Sequence, residues 1–194
     1  VLSLRKIAVT GGLAAGKSTV CQLLKESGAY VADADEIVRK LLTKESPVGQ
    51  QVIKLLGPEI ITKNQIDRKK ISNIVFSNPS KLKDLEMILH PAVREELTRL
   101  FNSIKNSKVY RFFVAEVPLL YEAHMENDFD TVIAVAADEA TARKRSAGSQ
   151  EFDRRSRFQL PPAAKQDKAT FVIKNSGDLR ALKAQVSALI PQLL

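Results

Sequence analysis

The chain has 194 residues, 44% of them hydrophobic and 27% charged, with a formal net charge of +8 and a single cysteine, Cys21. That length suits one domain with a small subdomain or lid, and one cysteine excludes an internal disulfide, so a reduced, cytoplasmic setting is expected. The apolar run within Val1 to Thr10 is too short for a signal peptide, and no stretch approaches the roughly 18 residues of a membrane span.

Arg5 to Thr10 is β-branched, apolar and closed by two glycines, which predicts a buried strand. From Lys17 the period becomes helical, with Val20, Leu23 and Leu24 on one face and Ser27-Gly28 as the stop. Tyr30 to Ala32 reads as a second strand, with Asp33-Ala34-Asp35 at its carboxyl end and a polar helix following to about Leu42. Ser46-Pro47 opens another helix that ends near Gly57-Pro58. From Asp67 to about Ser103 the chain reads as all-helical: Asp67 caps a helix to Phe76, Asn78-Pro79 starts the next, and His90-Pro91 breaks it before a further helix.

Tyr110 to Val117 is the longest apolar run and suits a central parallel strand; Thr131 to Ala136 is another, followed by a helix from Asp138 to about Ala147. Gly148 to Pro162 is polar, basic and without clear period. Phe171 to Ile173 forms a last short strand, and Leu179 to Leu194 an amphipathic closing helix. Strands alternating with helices predict an α/β fold, three layers with a central parallel sheet covered on both faces.

Gly11-Gly12-Leu13-Ala14-Ala15-Gly16-Lys17-Ser18-Thr19 fits the spacing G-x-x-x-x-G-K-[ST] between a strand and a helix, the setting a phosphate-binding loop requires. Glycines let successive backbone N–H groups curl around phosphates, and the helix start presents its positive dipole end. The Lys17 ammonium then reaches the β- and γ-phosphates of ATP, and the Ser18 hydroxyl ligates Mg²⁺. No guanine-reading Asn-Lys-x-Asp is present, Asp128 and Asp130 lack a GTPase-like D-x-x-G, and 194 residues leave little room for a motor's coupling machinery. A small-molecule kinase remains. Ligands of a parallel sheet sit beyond the carboxyl ends of its strands, so Asp33 or Asp35 serves either as the base for an attacking hydroxyl or as a helix cap. Glu116 is either a metal ligand or a buried, hydrogen-bonded carboxylate.

The phosphate loop followed by Asp33-Ala34-Asp35 resembles the bacterial dephospho-coenzyme A kinases. The likeness runs on through Asp67-Arg68, Phe76, Leu89-His90-Pro91-Ala92-Val93-Arg94, Val117-Pro118-Leu119-Leu120-Tyr121-Glu122, Gln159 and Val172-Ile173-Lys174-Asn175, nearly the whole chain. The resemblance implies transfer of the ATP γ-phosphate to the ribose 3′-hydroxyl of dephospho-coenzyme A. It implies Asp35 as preferred base with Asp33 beside it, Arg68, His90 and Glu122 on the acceptor side, and Asn175 near the adenine of ATP. A P-loop kinase domain is expected, with a helical acceptor-binding region at about 44–106 and a basic lid at about 143–165. Read from the residues alone, His90 is equally a helix-terminus residue, Glu122 a surface carboxylate and Arg68 a solvated charge.

In the lid, Arg143, Lys144, Arg145, Arg154, Arg155 and Arg157 supply cations of the kind that neutralise a transferring phosphoryl group. Ungapped matching puts Arg145 on the family's principal lid arginine. Ser149 and Gln150 stand where the family often has Arg-Asp, Pro161-Pro162 and Lys165 where it commonly carries arginines, and Thr170 replaces a usual aspartate. Other P-loop kinases of nucleosides, nucleotides or small alcohols are the alternative, and a nucleic-acid-stimulated ATPase a distant one. With aromatics at 6% and no interleaved aromatic–basic binding motif, no nucleic-acid partner is expected; nor is a membrane, and the protein is expected to be a monomer or small homo-oligomer.

Overall fold

A computed structural model describes residues 4–146 and 149–194, in two compact units: residues to Asp33 with those from Leu100 onward, and Ala34–Arg99. The elements in chain order are β1 (Arg5–Gly11), α1 (Lys17–Glu26), β2 (Ala29–Asp33), α2 (Ala34–Leu41), α3 (Pro47–Leu56), β3 (Ile61–Thr62), β4 (Gln65–Ile66), α4 (Arg68–Phe76), α5 (Pro79–Ile104), β5 (Phe112–Glu116), β6 (Thr131–Ala136), α6 (Glu139–Arg145), α7 (Ser149–Ser156), α8 (Pro162–Lys168), β7 (Phe171–Lys174) and α9 (Leu179–Leu193).

The first unit is built on a five-stranded sheet in the order β2-β5-β1-β6-β7, every pair parallel. Parallel strands covered on both faces must be apolar throughout rather than alternating, and β5 and β6 are buried at every residue. One face of Ile7, Val9, Phe112, Val114, Ile133 and Val135 packs under α1 and α9. Phe113, pointing the other way, meets Phe101 from the end of α5 edge-on and stacks on Tyr30. Phe112 and Phe113 are wholly buried, each worth about 2 kcal/mol or more in transfer from water.

The second unit has its own core, with Val52 and Leu56 from α3, Ile71 and Val75 from α4, Leu85 from α5, and Ile60. Its helices start where local chemistry dictates. Ser46 accepts the Gly49 N–H at 2.8 Å ahead of Pro47, and Asp67 accepts the Lys69 N–H at 2.9 Å.

Three sequence expectations need correction. His90-Pro91 does not break the helix: α5 runs from Pro79 to Ile104 with Pro91 inside it. Proline removes one backbone donor, and the carbonyl deprived of it belongs to Met87, a 60% exposed residue that water can serve. The unperiodic stretch 148–162 contains α7, whose Phe152 is its buried apolar anchor. The region 44–106 is not wholly helical, since β3 and β4 form a small antiparallel hairpin. Lys63 and Asn64 at its tip take positive φ values of 50° and 63°, the two-residue turn that matches strand twist.

Gly11 ends β1 at φ 143°, and a Cβ there would lie 2.2 Å from the Val135 carbonyl oxygen of the adjacent strand. Gly11→Ala is expected to cost about 3 kcal/mol, seen in calorimetry as a Tm lower by roughly 6–12 °C. A variant melting with the parent would show that β1 and β6 separate locally without penalty.

Candidate active site

Everything the sequence places in the first unit's site converges on the carboxyl edge of the parallel sheet. β1 runs into the loop Gly12–Gly16, and α1 begins at Lys17. Gly16 takes φ 92°, and a side chain there would collide with the Asn175 amide at 2.1 Å. Ala14 also lies at positive φ, 55°, a conformation an alanine adopts only where its surroundings impose it. Lys17 is 9% exposed and folds its Nζ back onto the loop, donating to the carbonyls of Gly12 at 2.9 Å and Gly11 at 3.3 Å.

Glu116 ends β5 and Asp33 ends the neighbouring β2, in register with each other. Ser18 donates its hydroxyl to Glu116 Oε1 at 3.0 Å. Both readings of Glu116 are therefore compatible with its place: it is buried and hydrogen-bonded, and with Ser18 it presents the hard oxygen donors that Mg²⁺ takes. Among the described residues no group of three His, Cys, Asp or Glu side chains forms a ready-made metal cage. Two protein oxygens plus phosphates is the usual arrangement for Mg²⁺, so the residues fit that ion. Cys21, one turn on from Ser18, is buried beside the same carboxylate. Burial first, then the charge and hydrogen bond of Glu116 and the charge of Asp33, push its thiol well above the usual range, with Lys17 opposing. This thiol is a packing and donor group rather than a nucleophile.

Asn175, following β7, is 6% exposed. Its N–H donates to Ala136 at 2.6 Å, its side-chain amide donates to the loop carbonyl of Ala15 at 2.8 Å, and its own carbonyl accepts Arg145 at 2.9 Å. The residue expected near adenine clamps the Gly12–Gly16 loop, and its carbonyl holds Arg145 at the end of α6. That helix is well founded: the Asp138 carboxylate caps it through Thr141 N–H and hydroxyl, both at 2.8 Å. Ser176 foremost, then Thr141, hold the Asp138 carboxyl down to about 2. Arg143 turns the other way, to Glu139, to Asp153 at 2.7 Å and over the Phe152 ring. Its charge is committed to joining α6 and α7. Arg154 and Arg155 lie exposed in the last turn of α7, with Arg157 exposed just beyond. The side chains of Ser149 and Gln150 lie outside the described residues.

The segment after α7 comes back onto the loop, where Pro162 packs on Gly12, and a cavity of about 440 Å³ lies alongside, bordered by Leu13, Ala15, Ala142 and Phe152. Lys165, which a charge count places in solvent, is wholly buried. It donates to the Pro118 carbonyl at 2.6 Å and pairs with Glu122 Oε1 at 2.9 Å; Glu122 also accepts the Leu160 N–H at 2.7 Å. Sequence reasoning missed this pair. The nearest signal was Lys165 on an alanine-flanked helix directly after two prolines.

In the second unit, Asp35 lies within the first turn of α2 and Arg68 is the first residue of α4; Asp33, the last residue of β2, belongs to the first unit. His90 sits within α5 ahead of Pro91, half-buried and with interactions of its own. Asp35 and Arg68 are exposed.

A strand–loop–helix with its lysine, a serine–carboxylate pair at the sheet edge and an arginine-bearing segment clamped beside them define a P-loop kinase. Comparisons with known proteins narrow the class. The dephospho-CoA kinase family model matches residues 5–181. The dephospho-CoA kinase of Protochlamydia amoebophila is 43% identical, the match covering 100% of this chain and 98% of that one. Among solved structures, a Thermus thermophilus protein aligns with a TM-score of 0.83 at 31% identity, covering 98% of both chains. The Campylobacter jejuni dephospho-CoA kinase aligns at 0.71 and 25% identity, covering 97% of this chain and 96% of its own. The chain belongs to the dephospho-CoA kinase family. It is an ATP-using phosphotransferase of coenzyme A biosynthesis that acts on dephospho-CoA. No helix among the described residues is long and apolar enough to cross a membrane.

Two predictions follow from this geometry. Lys165→Met leaves Glu122 without its ion partner and is expected to cost about 3–5 kcal/mol in chemical denaturation, whereas Glu122→Leu with Lys165→Met regains most of it. If the double variant were no better than the single, the pair would not be the source of the loss. The Asp138 carboxylate, with a folded value of about 2 against 3.8 ordinarily, stabilises fully above pH 3.8; that contribution disappears as the pH falls through about 2. NMR of its carboxyl carbon should show the low midpoint, and Ser176→Ala should raise it.

Proposed function

We propose that the phosphates of ATP lie in the Gly11–Thr19 loop, with Lys17 leaving its loop carbonyls for the β- and γ-oxygens and the backbone N–H groups completing the cradle. A phosphate oxygen is the stronger acceptor, so the exchange of partners is favourable. Ser18, with Glu116, would hold Mg²⁺, which would supply positive charge against that of the nucleotide phosphates. Arg145 supplies a further positive charge as negative charge spreads over the transferring group. Its bond to Asn175 gives it a fixed starting place, and Asn175 serves nucleotide binding by holding the loop.

Asp35 accepts the proton of the ribose 3′-hydroxyl, with Asp33 beside it, as that oxygen bonds to the γ-phosphorus and the bond to the β-phosphate oxygen breaks, releasing ADP. Arg68 and His90 bind the acceptor, and 44–106 is the acceptor-binding region. Residues 143–165 act as the lid, which excludes the water that would otherwise hydrolyse ATP. Glu122, on the acceptor side by family likeness, also serves through Lys165 and Leu160 as the lid's anchor. We place the enzyme in the cytoplasm, as a monomer or small homo-oligomer, with neither nucleic acid nor membrane as partner.

The Ser18–Glu116 contact beside Lys17, at the sheet edge that also carries Asp33, is the observation that supports this reading most directly. With ATP, Mg²⁺ and dephospho-CoA, Lys17→Ala and Asp35→Asn are each expected to lower kcat by about 10²–10⁴. Normal turnover by Asp35→Asn would remove Asp35 as the base. In acceptor competition, dephospho-CoA should prevail over nucleosides and other small alcohols.

A further inference from the structure

The second unit contains a concavity of about 490 Å³ around which four cations gather: Arg39 from α2, Lys44 from the turn before α3, Lys63 from the tip of the β3–β4 hairpin, and Arg68 at the start of α4. Glu45 is the one carboxylate on its lining. Among the described residues none of the four cations forms an ion pair, whereas Lys40 on the same helix is paired with Glu36 at 3.0 Å. Like charges drawn around one concavity raise one another's energy, and an anion bound among them removes that cost.

The positions are built rather than incidental. Lys44 Nζ is held by the Asn64 side-chain oxygen at 2.6 Å, and Asn64 with Lys63 occupies the left-handed turn of the hairpin. Arg68 follows directly on Asp67, whose carboxylate caps α4 by accepting the Lys69 and Lys70 N–H groups.

We propose that this pocket seats the diphosphate of the acceptor. The inference rests on the reading of Asp35 as the group that receives the ribose hydroxyl. Arg39 lies four residues beyond Asp35 on α2, hence one turn, about 5.4 Å, along the same side of the helix. In dephospho-CoA the reacting hydroxyl and the diphosphate stand on the same ribose, at its 3′ and 5′ positions. A ribose spanning from Asp35 toward Arg39 directs its hydroxyl to the base and its diphosphate into the basic pocket. The pocket then selects acceptors that carry a 5′-diphosphate, while the phosphates of ATP are taken by the Gly11–Thr19 loop.

The test is the double variant Lys44→Gln with Lys63→Asn, in which asparagine retains the left-handed backbone of the turn. Its KM for dephospho-CoA should rise about tenfold or more, with kcat and the KM for ATP within about twofold of the parent. With adenosine as acceptor, which has the hydroxyl but no diphosphate, variant and parent should be alike. An unchanged KM for dephospho-CoA, a rise in the KM for ATP in step with it, or an equal loss with adenosine would each overturn the proposal. Calorimetric titration of dephospho-CoA without ATP reads the pocket independently of turnover, and a tenfold weaker Kd in the variant is expected. A parent that binds dephospho-CoA but does not phosphorylate it would refute the catalytic reading while leaving the pocket standing.

Discussion

The amide of Asn175 bonded to the carbonyl of Ala15 is the contact on which the rest of the phosphate site depends. A loop that points its N–H groups inward toward an anion turns its carbonyls outward, where burial demands a donor for each. Asn175 supplies one for Ala15, and Lys17 serves Gly11 and Gly12. The partner lies 160 residues away in the chain, just after the last strand, so the loop's shape depends on a distant residue as well as on its own glycines. Gly16 is required there for two reasons at once: its φ of 92° and the Asn175 amide that occupies the space of a side chain. Because the same residue's carbonyl receives Arg145, the loop and the end of α6 share one fixed point.

A parallel sheet makes that economy possible. With every strand running the same way, the ends of β1, β2, β5 and β6 all open on one edge, and Gly11, Asp33, Glu116 and Ala136 arrive together. A carboxylate buried at such an edge is costly unless hydrogen-bonded. Glu116 has the Ser18 hydroxyl and the Cys21 thiol for this. The cysteine, which in the sequence spoke only of redox compartment, belongs to the support of the site.

What was legible follows from the same physics. Thr131 to Ala136 and Phe112 to Glu116 are apolar at nearly every position because both faces are covered, so they stand out without any need for alternation. The phosphate loop is legible because its spacing reflects backbone geometry. Asp67 as a cap is equally local and equally plain. Features fixed by distant contacts were not. The helix α7 has one buried anchor, Phe152, and its register is set by Arg143 reaching across from α6 to Asp153. Pro91 looked like a terminus because local chemistry says so, yet residues beyond it, Val93 and Leu97, are buried and hold the helix on its course.

Charge shows the same division between count and place. A formal +8 by itself is compatible with any polyanion, since lysine and arginine are alike in a sum. Their surroundings separate them. Lys165 is buried in a structural pair, Arg143 joins two helices, Lys17 is held by the loop carbonyls of Gly11 and Gly12, and Arg145 by the carbonyl of Asn175. Arg39, Lys44, Lys63 and Arg68 share a concavity, and among the described residues none of them forms a salt bridge. A nucleic-acid surface would distribute cations along a path matched to repeating phosphates. Here they form separate, short-range groups, one at the loop and one in the second unit, each of a size to hold a few phosphate oxygens. Two small phosphorylated molecules account for that pattern better than one long polymer, and a kinase whose donor and acceptor both carry phosphates has need of two such groups.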